Sequence, residues 1–458
     1  MSKYLLSAFI FLFGLSAAGY AEEVDNSRYD TIAERFVDAL SKGDRAGLEA
    51  LIDPIVSGRL RVAELIAAYE KVIAVNGEVK EAGVPRKENF SHYKLVFLPR
   101  KFARNYLDLQ VVVSRKSDKV SGFFILPHKK GYSAPSYVVA NAYKEIPVQF
   151  GLPQWKLWGR LSIPVGIEEA GKKESSARYP ALVLVHGSGS MDMDESVGSN
   201  KPFLDLARGL ASSGIAVLRY TKRTKQYKLN ESQILRMTVK EEVLDDVAQA
   251  VACLSKGSGV KHHIDPDKIF VLGHSMGGML IPRIAKACPS VRGFISLAGS
   301  NIPLARKLVD QYEYLAQAGD RSARAQLPRI KRETAKVLSL TEGDKNAIYM
   351  GASSRYWADL NRYRPIQEIV SIDKPVLFLQ GGRDYQVTAS GDFANWREAV
   401  RNKPGHSTQY QFKIYPELNH LFIPGQGKST PQEYFRASGN VDPRVVLDIA
   451  RFIKSNSI

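Results

Sequence analysis

The chain has 458 residues, a net charge of +17, 44% hydrophobic residues and 24% charged residues. That length exceeds one small domain, and the composition predicts a packed globular chain rather than a disordered one. The bases are scattered, with local clusters at "TKRTKQYK" (221–228) and "RIKRETAK" (329–336), so the charge predicts anionic surfaces or substrates rather than a nucleic-acid partner.

The first 21 residues have the order of a secretory signal. Lys3 supplies the positive start, "YLLSAFIFLFGL" the apolar run, and Gly19 and Ala21 the small residues before a cut. Cleavage is expected after Ala21, which predicts a periplasmic or secreted protein. The apolar run is short for a span, and no later stretch is long enough, so the mature chain is expected to have no stable membrane insertion. Cys253 and Cys288 permit one disulfide in an exported protein, or two buried thiols.

Residues 29–76 carry helical periodicity. In "YDTIAERFVDALSKGD", Ile32, Phe36, Val37 and Leu40 fall on one face, and Gly43 stops the pattern. Residues 90–127 then read as short strands rich in Val, Leu and Phe. Helices followed by a run of strands predict a small α+β domain over 28–130. Residues 131–147, with weak periodicity and two prolines, read as a linker, and "VQFGLPQWKLWGRLSIP" as a strand pair opening a second domain over 148–458.

From about residue 181 the texture changes. "ALVLVHG", "IAVLRY", "IFVLGHS", "GFISLAG" and "PVLFLQGG" are short apolar runs separated by helical stretches. Strands buried on both faces read this way, so an α/β doubly wound sheet is expected. A helical, basic insertion at about 300–372 is long enough to act as a cap, and its charge favours anionic esters.

"VLGHSMGG" places Gly273-His274-Ser275-Met276-Gly277 between a strand-like and a helix-like run. A sharp strand-to-helix turn of this kind exposes a serine hydroxyl. The hydroxyl needs a base, which in turn needs an orienting acid. Asp384, after "LFLQGG", and His420, after "FKIYP", stand at later strand ends in the expected order. His406 rivals His420, and Glu417 or Asp373 rival Asp384. His274 adjoins the serine too closely to serve as its base and reads as a packed or supporting group.

"HGSGSMDMDES" (186–196) follows the strand-like run "ALVLV". The loop there would supply one oxyanion donor, the backbone N–H of Ser188, and the residue after the nucleophile, Met276, the other. His186, Asp192, Asp194 and Glu195 match no zinc-hydrolase spacing, so no metal and no cofactor are expected. Pairing of Asp192 or Asp194 with Lys222 or Arg223 would brace the loop.

Residues 150–458, through "HGSGSMDMDES", "GHSMGG", "QGGRDYQV" and "NHLF", resemble the α/β-hydrolase superfamily. Within it they are similar to bacterial esterases related to dienelactone hydrolases and prolyl-oligopeptidase catalytic domains. Residues 28–127 resemble the cystatin-like or nuclear-transport-factor-like domain that precedes such hydrolases. The resemblance implies Ser275 as nucleophile, Asp384 as acid and His420 as base, acting on short-acyl esters without metal or cofactor. Thr221 departs from it, since relatives carry Asp in "RYDKR". A small-molecule ester is therefore the expected partner. A serine peptidase and a non-catalytic binding protein are the alternatives, and the oligomeric state is left open.

Overall fold

The computed structural model describes residues 27–58, 60–90, 92–128, 131–165, 178–257, 263–403, 409–436 and 438–457. The expected signal segment 1–21 and the rival base His406 lie outside these residues. The described chain forms two compact units that meet in sequence at Gly131 and Tyr132.

In the first unit, α1 (Ser27–Lys42), α2 (Arg45–Leu51) and α3 (Val62–Asn76) precede five strands. These are β1 (Val79–Ala82), β2 (Arg86–Phe90), β3 (Tyr93–Phe102), β4 (Tyr106–Ser114) and β5 (Val120–Pro127). The pairing is antiparallel, in the order β1-β3-β4-β5 with β2 also on β3. Helix α1 buries Tyr29, Ala33, Phe36, Val37 and Leu40. Ile32, expected on that face, is half-buried at its margin. Val96, Leu98, Leu109, Val111 and Val113 complete the core from the sheet side, as period-2 alternation requires. The expected α+β character holds.

The second unit is built on β6 (Tyr143–Leu152), β7 (Trp155–Pro164), β8 (Tyr179–Val185), β9 (Ala216–Tyr220), β10 (Ile264–His274) and β11 (Gly293–Leu297). A short hairpin of β12 (Ile348–Tyr349) and β13 (Ala352–Ser353) stands apart, and β14 (Val376–Gly381) and β15 (Tyr410–Tyr415) complete the main sheet. Its order is β15-β14-β11-β10-β8-β9-β7-β6. Pairing is parallel from β9 to β15 and antiparallel at β7 with both of its neighbours. Along β8, Ala181, Val183 and Val185 face one core, and Leu182 and Leu184 face the other. Both faces are dry, which is why these strands lack polar alternation. This is the α/β-hydrolase fold that the sequence resembles.

Strand β6 begins at Tyr143, inside the stretch 131–147 that reads as a linker. It is an edge strand, where Pro147 leaves no central ladder bond unmade. None of residues 143–147 is fully buried, so that part of the strand shows no apolar periodicity. The insertion holds helices Leu304–Gln317, Arg321–Leu338, Ser354–Arg362 and Pro365–Ile369 besides the small hairpin. Lys307 on the first of these pairs with Asp392, whose carboxylate also accepts from Ser300 Oγ at 2.9 Å and from Thr388 N at 3.1 Å. A buried ion pair thus ties the insertion to the loop after β14. Cys253 and Cys288 are both free thiols.

Candidate active site

Strand β10 ends at His274, and helix Met276–Met279 begins at once. Ser275 between them is held at φ 54° and ψ −114°, a backbone conformation costly for any residue with a Cβ. Its N–H donates to Leu297 O at 2.9 Å, which pins the turn to β11. The turn closes so tightly that a Cβ on Gly273 would lie 2.2 Å from the carbonyl carbon and oxygen of Gly277. Glycine at 273 is therefore a steric requirement of the elbow.

The loop after β8 runs against this elbow. A Cβ on Gly187 would meet Ser275 Cβ at 3.1 Å and Ser275 Oγ at 3.6 Å. The N–H of Gly187 donates to Glu195 Oε1 at 2.8 Å. Among the described residues the next N–H, that of Ser188, has no turn or side-chain acceptor. Met276 opens its helix, so its N–H is one of the donors a helix start leaves without an intrahelical acceptor. Both positions suit an oxyanion donor.

His420 sits on the loop after β15 and is buried, as is Asp384 after β14. His420 Nδ1 lies 2.7 Å from Asp384 Oδ2. The other carboxylate oxygen accepts from Gln386 N at 2.8 Å and Val387 N at 3.0 Å, and Gln380 Nε2 reaches Oδ2 at 3.1 Å. Because Asp384 can only accept here, His420 carries its proton on Nδ1 and presents a lone pair at Nε2. The rivals lie elsewhere: Glu417 pairs with Arg444 at 2.9 Å, and Asp373, almost fully exposed, pairs with Lys403 at 3.3 Å.

His274 has a different role from the triad candidates. Its Nε2 donates to the carbonyl of His420 at 3.0 Å, and its Nδ1 lies 2.9 Å from Glu195 Oε2. A carboxylate beside Nδ1 and a carbonyl at Nε2 favour the imidazolium form. Burial opposes that charge, but the Glu195 carboxylate and the His420 carbonyl outweigh it and hold the pKa above the ordinary histidine value. Burial likewise opposes the Glu195 charge, yet His274 and the Gly187 N–H keep that carboxyl below its usual range. His186 is neutral: burial pushes its pKa down to about 4, and Nε2 donates to Asp192 O at 2.9 Å. Sequence reasoning missed this pair, since nothing in the spacing of Glu195 and His274 marks them as neighbours.

Stability from the pair depends on pH from both sides. The raised His274 contributes fully below about pH 6.5 and loses its share as pH rises through the folded value. The depressed Glu195 contributes fully above about pH 4.5 and loses its share as pH falls through its folded value. Glu195→Gln leaves a buried imidazolium unpaired, with an expected loss of about 3–5 kcal/mol. Chemical denaturation of both proteins at pH 5.5 checks the size. The gap should narrow as pH rises past the folded His274 value, and a gap constant with pH contradicts the ion pair.

The expected brace of Asp192 or Asp194 with Lys222 or Arg223 is not what forms. Asp194 pairs with Lys201 and Arg219, both at 2.9 Å. Asp192 Oδ1 accepts from the N–H groups of Asp194 at 3.1 Å and Ser196 at 3.0 Å. Lys222 pairs with Glu242 at 2.8 Å, and Arg223 with Asp246. Arg219, on β9, reaches Asp194 from the strand itself, whereas Lys222 and Arg223 lie beyond its end and turn towards the helical segment 240–256.

A cavity of about 170 Å³ opens over Ser275. Val197, Leu421, Pro431, Tyr385 and Tyr434 give it apolar walls, and Gln311, from the insertion, adds a polar edge. Tyr314 of the same helix stacks on Tyr385 with ring centroids 5.1 Å apart. Among the described residues that line it, the titratable groups nearest the serine are Glu195, His274 and His420, with no Lys or Arg. The basic character expected to favour anionic esters therefore does not reach the cavity wall. No group of acidic, histidine or cysteine side chains fit to hold a metal occurs among the described residues.

Residues 180–424 match the Hydrolase_4 family, described as "Serine aminopeptidase, S33". The chain is similar to Esterase EstD of Thermotoga maritima, 33% identical over 429 residues that cover 93% of this chain and 95% of that protein. Among solved structures it is similar to an esterase of Pyrococcus furiosus, 16% identical with a TM-score of 0.42, covering 72% of this chain and 99% of that one. Est1E from Butyrivibrio proteoclasticus is also 16% identical, with a TM-score of 0.41 over 68% of this chain and 98% of that one.

Proposed function

The chain belongs to the Hydrolase_4 family of α/β-hydrolases, and from that premise we propose that it is an exported serine carboxylesterase acting on short-acyl, uncharged esters. The observation that carries this reading is a strained serine beside a glycine loop and a 2.7 Å His420–Asp384 pair, with Ser275 and His420 both opening on one small cavity. The curated relative's name supports ester rather than other substrates.

In this mechanism His420 Nε2 takes the proton of Ser275 Oγ as Oγ bonds the ester carbonyl carbon. The carbonyl π pair moves to oxygen and is met by the N–H groups of Ser188 and Met276. Collapse breaks the bond to the alcohol, which leaves with the proton from His420. Water then repeats the sequence on the acyl-enzyme, releasing the acid. Asp384 holds the His420 tautomer and stabilises its cation.

Chain length is the sharpest test of the substrate class. At about 170 Å³ the cavity is smaller than the roughly 300–1,000 Å³ of sites that take drug-sized ligands. With p-nitrophenyl esters, kcat/KM is expected to be highest from acetate to butyrate and at least about tenfold lower at octanoate. A rising profile towards long chains would contradict the short-acyl reading. A peptide p-nitroanilide tests the peptidase alternative that the family description favours. Labelling by a fluorophosphonate, mapped to Ser275 by peptide mass, tests the nucleophile. Export rests on the residues around Ala21, and a mature N-terminus at Glu22 is the expected result.

A further inference from the structure

Lys222 is almost completely buried, 3% exposed, and does no work in the scheme above. Its ammonium donates to the carbonyl oxygen of Gly187 at 2.9 Å and pairs with Glu242 Oε1 at 2.8 Å. The Gly187 carbonyl belongs to the same peptide unit as the Ser188 N–H. The described chain contains no cis peptide bond, so in this unit C=O and N–H point in opposite directions. A cation seated on the carbonyl therefore fixes where the N–H points. It also draws electron density towards the oxygen and leaves the N–H a stronger donor.

The same contact continues to the other oxyanion candidate. Glu242 Oε2 accepts from Tyr356 OH at 2.7 Å, and that hydroxyl lies 3.6 Å from Met276 Sδ. Gly187 is held from its other side as well, through its N–H on Glu195. Burying an ammonium is costly unless its partners are well placed. Spending that cost on a backbone carbonyl beside the nucleophile is hard to account for by packing alone, since an apolar side chain would fill the space without it.

We infer that Lys222 is a positioning residue for the oxyanion hole, orienting and polarising the Gly187–Ser188 peptide so that its N–H meets the charge developing on the substrate carbonyl. The inference rests on the reading of Ser275 as nucleophile and of Ser188 N–H as an oxyanion donor. Lys222 touches no substrate. Its effect is felt only when the carbonyl oxygen becomes an anion, so it should act on turnover and hardly on ground-state binding.

The test compares Lys222→Met, Lys222→Arg and the double variant Lys222→Met/Glu242→Gln with the full-length wild type. The double variant removes both buried charges, so it keeps the comparison readable if the unpaired Glu242 of Lys222→Met unfolds the protein. Three quantities are measured: kcat and KM for p-nitrophenyl acetate, the inhibition constant of phenylboronic acid, whose tetrahedral adduct with a serine places an oxygen in the oxyanion hole, and Tm. Lys222→Met and the double variant should lose about 10- to 100-fold in kcat, with KM within about threefold, since only the transition state is affected. Boronate affinity should fall by a similar factor, and Lys222→Arg should recover most of both. A folded Met or double variant with wild-type kcat overturns the inference, and so does a loss of kcat with unchanged boronate affinity. Failure of the nucleophile reading gives a different result, in which fluorophosphonate leaves Ser275 of the wild type unlabelled.

Discussion

Ser275→Ala is expected to lower kcat/KM on p-nitrophenyl acetate by about 10⁶-fold, the size seen when a nucleophile is removed from a working triad. The change deletes only Oγ, on a residue that lines the cavity. Alanine keeps the Cβ, so the strained turn at φ 54° is as costly as before and the fold should not notice. The Ser275 N–H bond to Leu297 O is a backbone contact and survives. What remains is binding plus the oxyanion donors, which alone give about 10³–10⁴ over water. Steady-state kinetics with Tm as a control for folding check this. Activity within tenfold of the wild type would place the nucleophile elsewhere.

The second large effect is at Asp384. Asp384→Asn is expected to cost about 10⁴-fold in kcat while the structure stays intact. The hydrogen bonds dictate why. One oxygen of the carboxylate accepts from two backbone N–H groups, those of Gln386 and Val387. In asparagine the amide oxygen must stay there, because an NH₂ would face two donors. The NH₂ then faces Gln380 Nε2 and His420 Nδ1. His420 is forced to accept at Nδ1 and to carry its proton at Nε2, where it cannot take the proton of Ser275. Asp373→Asn, at an exposed position paired with Lys403, is the matched control and should leave kcat unchanged. Equal losses in the two variants would return Asp384 to a structural role.

Much of this architecture was legible because it is written in local patterns. The apolar runs from Ala181 to Gly381 are strands buried on both faces, and a two-sided hydrophobic strand cannot be mistaken for a half-exposed one. The elbow announces itself through Gly273, which is crowded by the Gly277 carbonyl four residues on, whereas Gly277 is crowded by the carbonyls of Val185 and His186 at the end of β8. The first half of strand β6 was hidden because an edge strand relaxes the rules that make a strand visible: it tolerates Pro147, and none of residues 143–147 is fully buried.

The charged side chains were the least legible. "TKR" after β9 is expected to pair with Asp192 or Asp194, yet Lys222 and Arg223 are buried and paired with Glu242 and Asp246 some twenty residues on. In "MDMDES" the acids expected to brace the loop were Asp192 and Asp194, but the one beside the nucleophile is Glu195, held by His274. An ion pair depends on distance between chain segments far apart in sequence, and no spacing rule encodes that distance.

The doubly buried strands, the serine turn after β10 and the residue types of the candidate triad were legible in the sequence itself. Each follows from steric and solvation preferences of a few adjacent residues. Only the tertiary structure decided which acid faces which base, how small the cavity is, and that a lysine sits on the carbonyl behind Ser188. Those are facts of convergence. They arise where loops after β8, β9, β10, β14 and β15 meet at one end of the sheet, and the low dielectric there makes each charge choose its nearest partner.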